Sequence, residues 1–215
     1  MGFEDFIAIE EARANAFNLF SALFCQPEDE VLRGSGLFAS LKKSFGILNI
    51  DNKGCVEDLE KSLNSFTETE LLVEYAQLFV GPFKTLAPPY SSIYLGGDSV
   101  MTDDTIWVLN QYRKMGLDFN MGVRDLPDHV AVEAEYLYYL IFNEIKSLLD
   151  KKPGEAKNFH DAQGIFLNEH FNKWVPGFCG HGLKQTDNDY YKALFRCLDF
   201  FTRSTGLVEF PKSMG

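Results

Sequence analysis

Several function classes are missing their marks in this chain. Cys25, Cys55, Cys179 and Cys197 lie far apart with no Cys-x-x-Cys pair, which argues against zinc ribbons and dithiol redox sites and leaves ordinary buried thiols. Positive charge is scarce. With 20 Lys and Arg against 31 Asp and Glu, the net charge is −11 and the pI about 4.8, so no basic face is expected for nucleic acid or anionic lipid. Acidic surface either serves solubility or suits a cationic partner. No run of about 18 apolar residues occurs, and Met1-Gly2-Phe3-Glu4-Asp5 is acidic where a signal peptide is basic. The chain is therefore expected in the cytoplasm, without stable membrane insertion.

Catalytic signatures are lacking as well. There is no His-Glu-x-x-His, no Glu-x-x-His and no Gly-x-Ser-x-Gly, the patterns that zinc, carboxylate di-iron and serine-nucleophile sites need. Gly34-Ser35-Gly36 followed by Ala39 matches the loose dinucleotide fingerprint but sits in no strand-helix-strand unit, and no P-loop is present.

What is abundant is apolar material: 46% of the 215 residues are hydrophobic and twenty are Phe, enough for a real core without metal or disulfide staples. Phe6, Ile9, Phe17, Phe20, Leu23 and Phe24 recur at helical spacing before Gln26-Pro27. Pro27 is placed as a first-turn proline of a short second helix, and residues 34–54 show little definition. Thr67 and Glu70 form a capping box ahead of Leu71, Leu72, Tyr75, Leu78 and Phe79, with Gly81-Pro82 as the stop. Residues 82–101, with Pro88-Pro89 and Gly96-Gly97, read as a long irregular loop of a length usually kept for function. A helix from Thr102 to Gly116 follows, then a long one from Asp128 to Leu148 of roughly 33 Å. Two more run over 155–175, ending before Pro176, and over 187–205. No period-two strand and no repeat is found, so the expectation is all-α, one compact multi-helix domain over 1–215 with its core at about 6–206.

Two constellations could carry chemistry. The helix end at Tyr75, Leu78 and Phe79 stands beside the Pro88-Pro89-Tyr90 loop. Prolines pre-order such a loop, and Tyr90 and Tyr94 offer flat faces to apolar side chains and guanidinium groups; alternatively, these aromatics plug the core. In Pro127-Asp128-His129-Val130-Ala131-Val132-Glu133, Asp128 is read as the N-cap, with His129 and Glu133 one turn apart. That trio could bind a metal, do acid/base work or form a structural hydrogen-bonded cluster. A small metal-dependent helical enzyme centred on it is the rival reading.

At these segments the sequence resembles the TorD/DmsD/NarJ family of redox-enzyme maturation chaperones, in its TorD-like branch. Glu74 to Pro82, Pro88 to Tyr94, and Pro127-Asp128-His129 with Glu133 carry the resemblance. Phe166-Leu167-Asn168-Glu169-His170-Phe171 leading to Trp174-Val175-Pro176 is a further match. Relatives often have Trp where this chain has Tyr90. The resemblance implies an all-helical, non-catalytic chaperone needing no cofactor or metal of its own. Its partner would be the twin-arginine leader and precursor of a molybdenum oxidoreductase catalytic subunit, protected until its cofactor is loaded. It assigns leader binding to Tyr75, Leu78, Phe79, Pro89, Tyr90, Asp128, His129 and Glu133, with the first aromatics and Leu78 as apolar wall and Glu133 holding His129 or meeting an arginine. It also implies a monomer or a dimer formed by exchanging helices. The chain has no Arg-Arg pair, so it reads as a keeper of such leaders rather than an exported protein.

Overall fold

The computed structural model describes residues 1–34, 36–50, 54–81, 85–96, 99–118 and 125–211. These contain eleven α-helices. α1 (Phe3–Leu23), α2 (Asp29–Gly34), α3 (Leu37–Ile47) and α4 (Cys55–Leu63) come first; α5 (Glu68–Tyr75) runs into a wide π-helical turn, Ala76–Val80. α6 (Ser91–Tyr94), α7 (Asp103–Lys114) and α8 (Val130–Leu149) follow. α9 (Pro153–Phe166) passes through a second π-helical turn, Leu167–Phe171, into α10 (Asn172–Gln185), and α11 (Asp189–Ser204) completes the series. Among the described residues there is no strand, so the all-α expectation holds; the one β-type pairing is an isolated antiparallel bridge between Tyr90 and His129.

The phenylalanines explain the packing. α1 lies against α3 and α8, α8 against α9, and α11 against both α4 and α10. Phe17 and Phe20 of α1 meet Phe201 of α11 edge-on or tilted at 4.8 and 5.2 Å between centroids. Phe178 of α10 meets Phe195 of α11 at 5.3 Å, and each such pair adds about 0.5–1.5 kcal/mol beyond its area. Gly182 allows the α10–α11 approach: a Cβ there would lie 2.2 Å from the Phe195 ring.

Several expectations change. Residues 34–54, read as ill-defined, hold α3, whose Leu37, Phe38, Leu41 and Phe45 are buried; α4 follows with Val56, Leu59 and Leu63 inside. Both start after a glycine with positive φ and have no side-chain cap, so the usual start signals are absent. Pro27 precedes α2 rather than opening it. The 82–101 loop contains α6. Pro176 does not end a helix but lies inside α10. A proline ring needs room at the carbonyl four residues back, here Asn172, and the wide turn Leu167–Phe171 ends just before that residue. Cys25 is exposed, unlike the other three cysteines. Pro82, Ser35 and Gly97 fall outside the described residues.

One buried feature has no counterpart in the sequence reading. Nη1 of Arg13 donates to both oxygens of Glu10 at 2.6 Å and to Gln163 Oε1 at 3.3 Å. The Gln163 amide donates to Glu144, whose other oxygen is 2.9 Å from His160 Nδ1. This network ties α1, α8 and α9 together, and Phe210 of the tail covers His160 edge-on at 5.0 Å. Burial pushes the Glu10 carboxyl pKa up despite Arg13 beside it, as expected where desolvation outweighs attraction.

Candidate functional site

The proline loop is fastened at both ends. Near its start, Ala87 N donates to Leu78 O at 2.8 Å, and His181 Nε2 lies 2.8 Å from Leu86 O. At its far end, Val130 N donates to Pro89 O at 2.8 Å and Ser91 N to Asp128 O at 3.0 Å. The first turn of α8 leaves backbone donors without helical partners, and Pro89 O satisfies one of them. Prolines suit this strap because their missing N–H groups are not needed and their fixed φ keeps the segment extended. The strap thus lies against the start of α8.

His129, not Asp128, is the N-cap of α8: its Nδ1 accepts from Ala131 N at 3.0 Å. That bond leaves the neutral ring's proton on Nε2, which points toward Asp125 Oδ2 at 3.6 Å. Burial lowers the His129 pKa, overcoming the pull of Asp125 and Asp128. Asp128 is itself fully buried, with Oδ2 accepting from Ser92 N at 3.1 Å; it clamps the strap rather than capping the helix.

Tyr90 is half-buried, its ring edge-on to His129 at 5.4 Å, and its hydroxyl donates to Asp125 Oδ1 at 2.8 Å. Burial and this bond push its phenol pKa well up, so it stays a donor. Tyr75 is also half-buried, its phenol pushed up to about 12 by burial, then by Cys25 and Asp125 nearby. Tyr75, Tyr90, His129 and Asp125 therefore share one patch, of which Asp125 is the exposed member. The sequence reading missed Asp125, since one aspartate in a polar loop gives no signal until the chain folds.

Leu78, Phe79 and Glu133 take other places. Leu78 and Phe79 are in the core; Phe79 touches the rings of Phe24, Tyr75, Phe178, Tyr191 and Phe195. They hold the π-helical turn inward and form no surface wall. Glu133 does not hold His129: its carboxylate accepts from Trp174 Nε1 at 2.8 Å and lies 2.7 Å from His170 Nε2. Trp107 stacks on the His170 ring at 5.0 Å. Glu133 is fully buried and its pKa is raised by that burial, with His170 and Trp174 pulling the other way. An arginine could reach it only by displacing both partners. His170 and Trp174 are four apart in the last matching segment, a helical spacing that marks one face but does not say toward which helix. Among the described residues no group of three His, Cys, Asp or Glu side chains could hold a metal ion; Asp128, His129 and Glu133 each turn to different neighbours.

The family model described as "Nitrate reductase delta subunit" matches residues 50–180, a span that includes every residue of the strap, the start of α8 and the Glu133 cluster. The chain belongs to this family, that of the TorD, DmsD and NarJ chaperones. Similar proteins include a "Chaperone protein TorD" of Photobacterium profundum, 27% identical over 92% of this chain and 94% of that one. A "Tat proofreading chaperone DmsD" of Salmonella typhi is 25% identical over 60% of this chain and 56% of its own length. A crystal structure from Archaeoglobus fulgidus, described as a candidate redox enzyme maturation protein, superposes with a TM-score of 0.51 over 85% of this chain and 91% of that one at 23% identity. This last likeness speaks for the fold of the family member alone. No helix among the described residues is long and apolar enough to cross a membrane.

Proposed function

We propose that this chain is a non-catalytic cytoplasmic chaperone that binds the twin-arginine leader of a molybdopterin-dependent oxidoreductase subunit and keeps the precursor from export until its cofactor is loaded. The observation that carries this reading is the patch at the strap. The half-buried ring of Tyr90 sits on backbone already pinned to the start of α8, with the exposed carboxylate of Asp125 bonded to its hydroxyl and the half-buried Tyr75 at the end of α5 nearby. A pre-ordered site of this kind pays little entropy on binding. Aromatic faces and a negative charge suit a segment with both apolar and guanidinium groups. Tyr75 and Tyr90 remain the proposed contacts on this patch, while Pro89 and His129 are themselves buried and back it from behind. Leu78, Phe79, Asp128 and Glu133 support it from beneath. Relatives named as TorD chaperones and Tat proofreading chaperones support the same assignment.

Isothermal titration calorimetry with synthetic twin-arginine leaders, and with versions in which both arginines are replaced by glutamine, tests the reading. Saturable binding of the arginine form, weakened by salt and by the replacement, is expected. Equal affinity for the two forms would refute it.

A further inference from the structure

Which carboxylate meets the leader's arginines follows from what each one is already doing. Asp128 is fully buried and clamps Ser92 N; Glu133 is fully buried between His170 and Trp174. Asp128 Oδ1 has no hydrogen bond but is shut inside the fold, and Asp125 differs from both in facing solvent. Its side chain is 45% exposed. Tyr90 Oη and Leu126 N both donate to its Oδ1, at 2.8 and 2.9 Å, so the group is oriented before any ligand arrives. Its Oδ2 has no hydrogen bond, because the approach of His129 Nε2 stops at 3.6 Å. His129 cannot neutralise it either: Nδ1 already accepts from Ala131 N, and a ring accepting there is uncharged.

We propose that Asp125 is the carboxylate that receives a leader arginine through Oδ2, with the Tyr90 ring beside it as a flat face for the guanidinium, and that this pairing sets a preference for arginine over lysine. The inference rests on the leader-binding reading above. A guanidinium is planar, weakly hydrated and able to stack while donating to a fixed carboxylate; an ammonium gives up more hydration and stacks less well. Tyr75 lies near enough for the Asp125 charge to raise its phenol pKa.

The test is a calorimetric comparison of wild type and Asp125→Asn with leaders carrying either an arginine or a lysine pair. Asparagine keeps the shape and an acceptor for Tyr90, and unchanged urea midpoints would confirm an intact fold. Asp125→Asn is expected to weaken the arginine leader about 5- to 30-fold and the lysine leader by less than about threefold, so the discrimination collapses. If wild type binds the arginine leader and Asp125→Asn binds it equally well, the Asp125 assignment is overturned while leader binding stands. If wild type binds no leader, the underlying reading falls and the assignment with it.

Discussion

Replacing Gly182 by alanine tests the packing beneath the site. A methyl at 182 would stand 2.2, 2.5 and 2.6 Å from three atoms of the Phe195 ring. Contacts that short force something to move. The Phe195 ring is wholly buried against Phe24, Phe79 and Phe178, so it has no open space to turn into, and the strain passes to α10, α11 and the π-helical turn that carries Phe79. Overpacking of a full core costs about 1–3 kcal/mol, and contacts this short belong at or beyond the upper end. Alanine recovers about 1 kcal/mol of helix propensity. A net loss of about 2 kcal/mol is expected, or roughly 4–8 °C in Tm for a chain of this size. Gly180, two residues earlier in α10, is the internal control: a Cβ there meets nothing within 4 Å, so Gly180→Ala gains up to about 1 kcal/mol. Urea unfolding followed by circular dichroism measures both. Adding Phe195→Leu to Gly182→Ala should recover part of the loss, a coupling that a double-mutant cycle isolates. A Gly182→Ala protein as stable as wild type, or a Gly180→Ala protein destabilised to the same degree, would refute the close-approach argument.

Two further outcomes probe the layer between core and patch. Glu133→Gln places an amide NH2 against either His170 or Trp174, leaving a buried donor unpaired; it should cost about 1–3 kcal/mol in urea unfolding while leader affinity stays within about twofold. An affinity collapse at unchanged stability would instead put Glu133 in contact with the leader. His129 gives a pH signature. Burial holds its folded pKa below the ordinary histidine value of 6.5, so above about 6.5 both folded and unfolded states are neutral there. As pH falls below that, the unfolded chain takes up a proton that the folded one refuses. Its contribution to stability is therefore full above about 6.5 and declines toward the folded pKa, by at most about 1.4 kcal/mol per pH unit. Glu10 and Glu133, whose pKa values are raised, act with the opposite sign, so the comparison must be a difference. His129→Asn keeps a capping acceptor without the titration, and wild type should lose more stability than this variant between pH 7.5 and 5.5. Parallel losses would contradict a neutral, buried His129.

Much of the helical order was legible. Thr67 and Glu70 form the capping box that their spacing announced, Gly116 takes the positive φ expected of a helix stop, and the stripe from Val130 to Leu148 is the buried face of α8. α3 and α4, which start after a positive-φ glycine rather than a capping side chain, were not readable from such signals, and neither was Pro176 inside α10, because a local rule for proline takes no account of a wide turn upstream. Motif spacing located the strap and the start of α8 but misassigned what the side chains do there. Asp128 looked like a cap and Glu133 like an open acid; each instead bonds to a segment distant in sequence.

By itself, then, the sequence determined the class of the molecule: acidic, rich in phenylalanine, helical by period, with a proline strap and a long helix in family order. Only the tertiary structure decided which polar groups are available. Burial and hydrogen-bond partners depend on contacts between α8, the strap and α10, and those contacts enclose Asp128, His129 and Glu133 among bonded neighbours while leaving the Asp125 side chain exposed and its Oδ2 without a hydrogen bond.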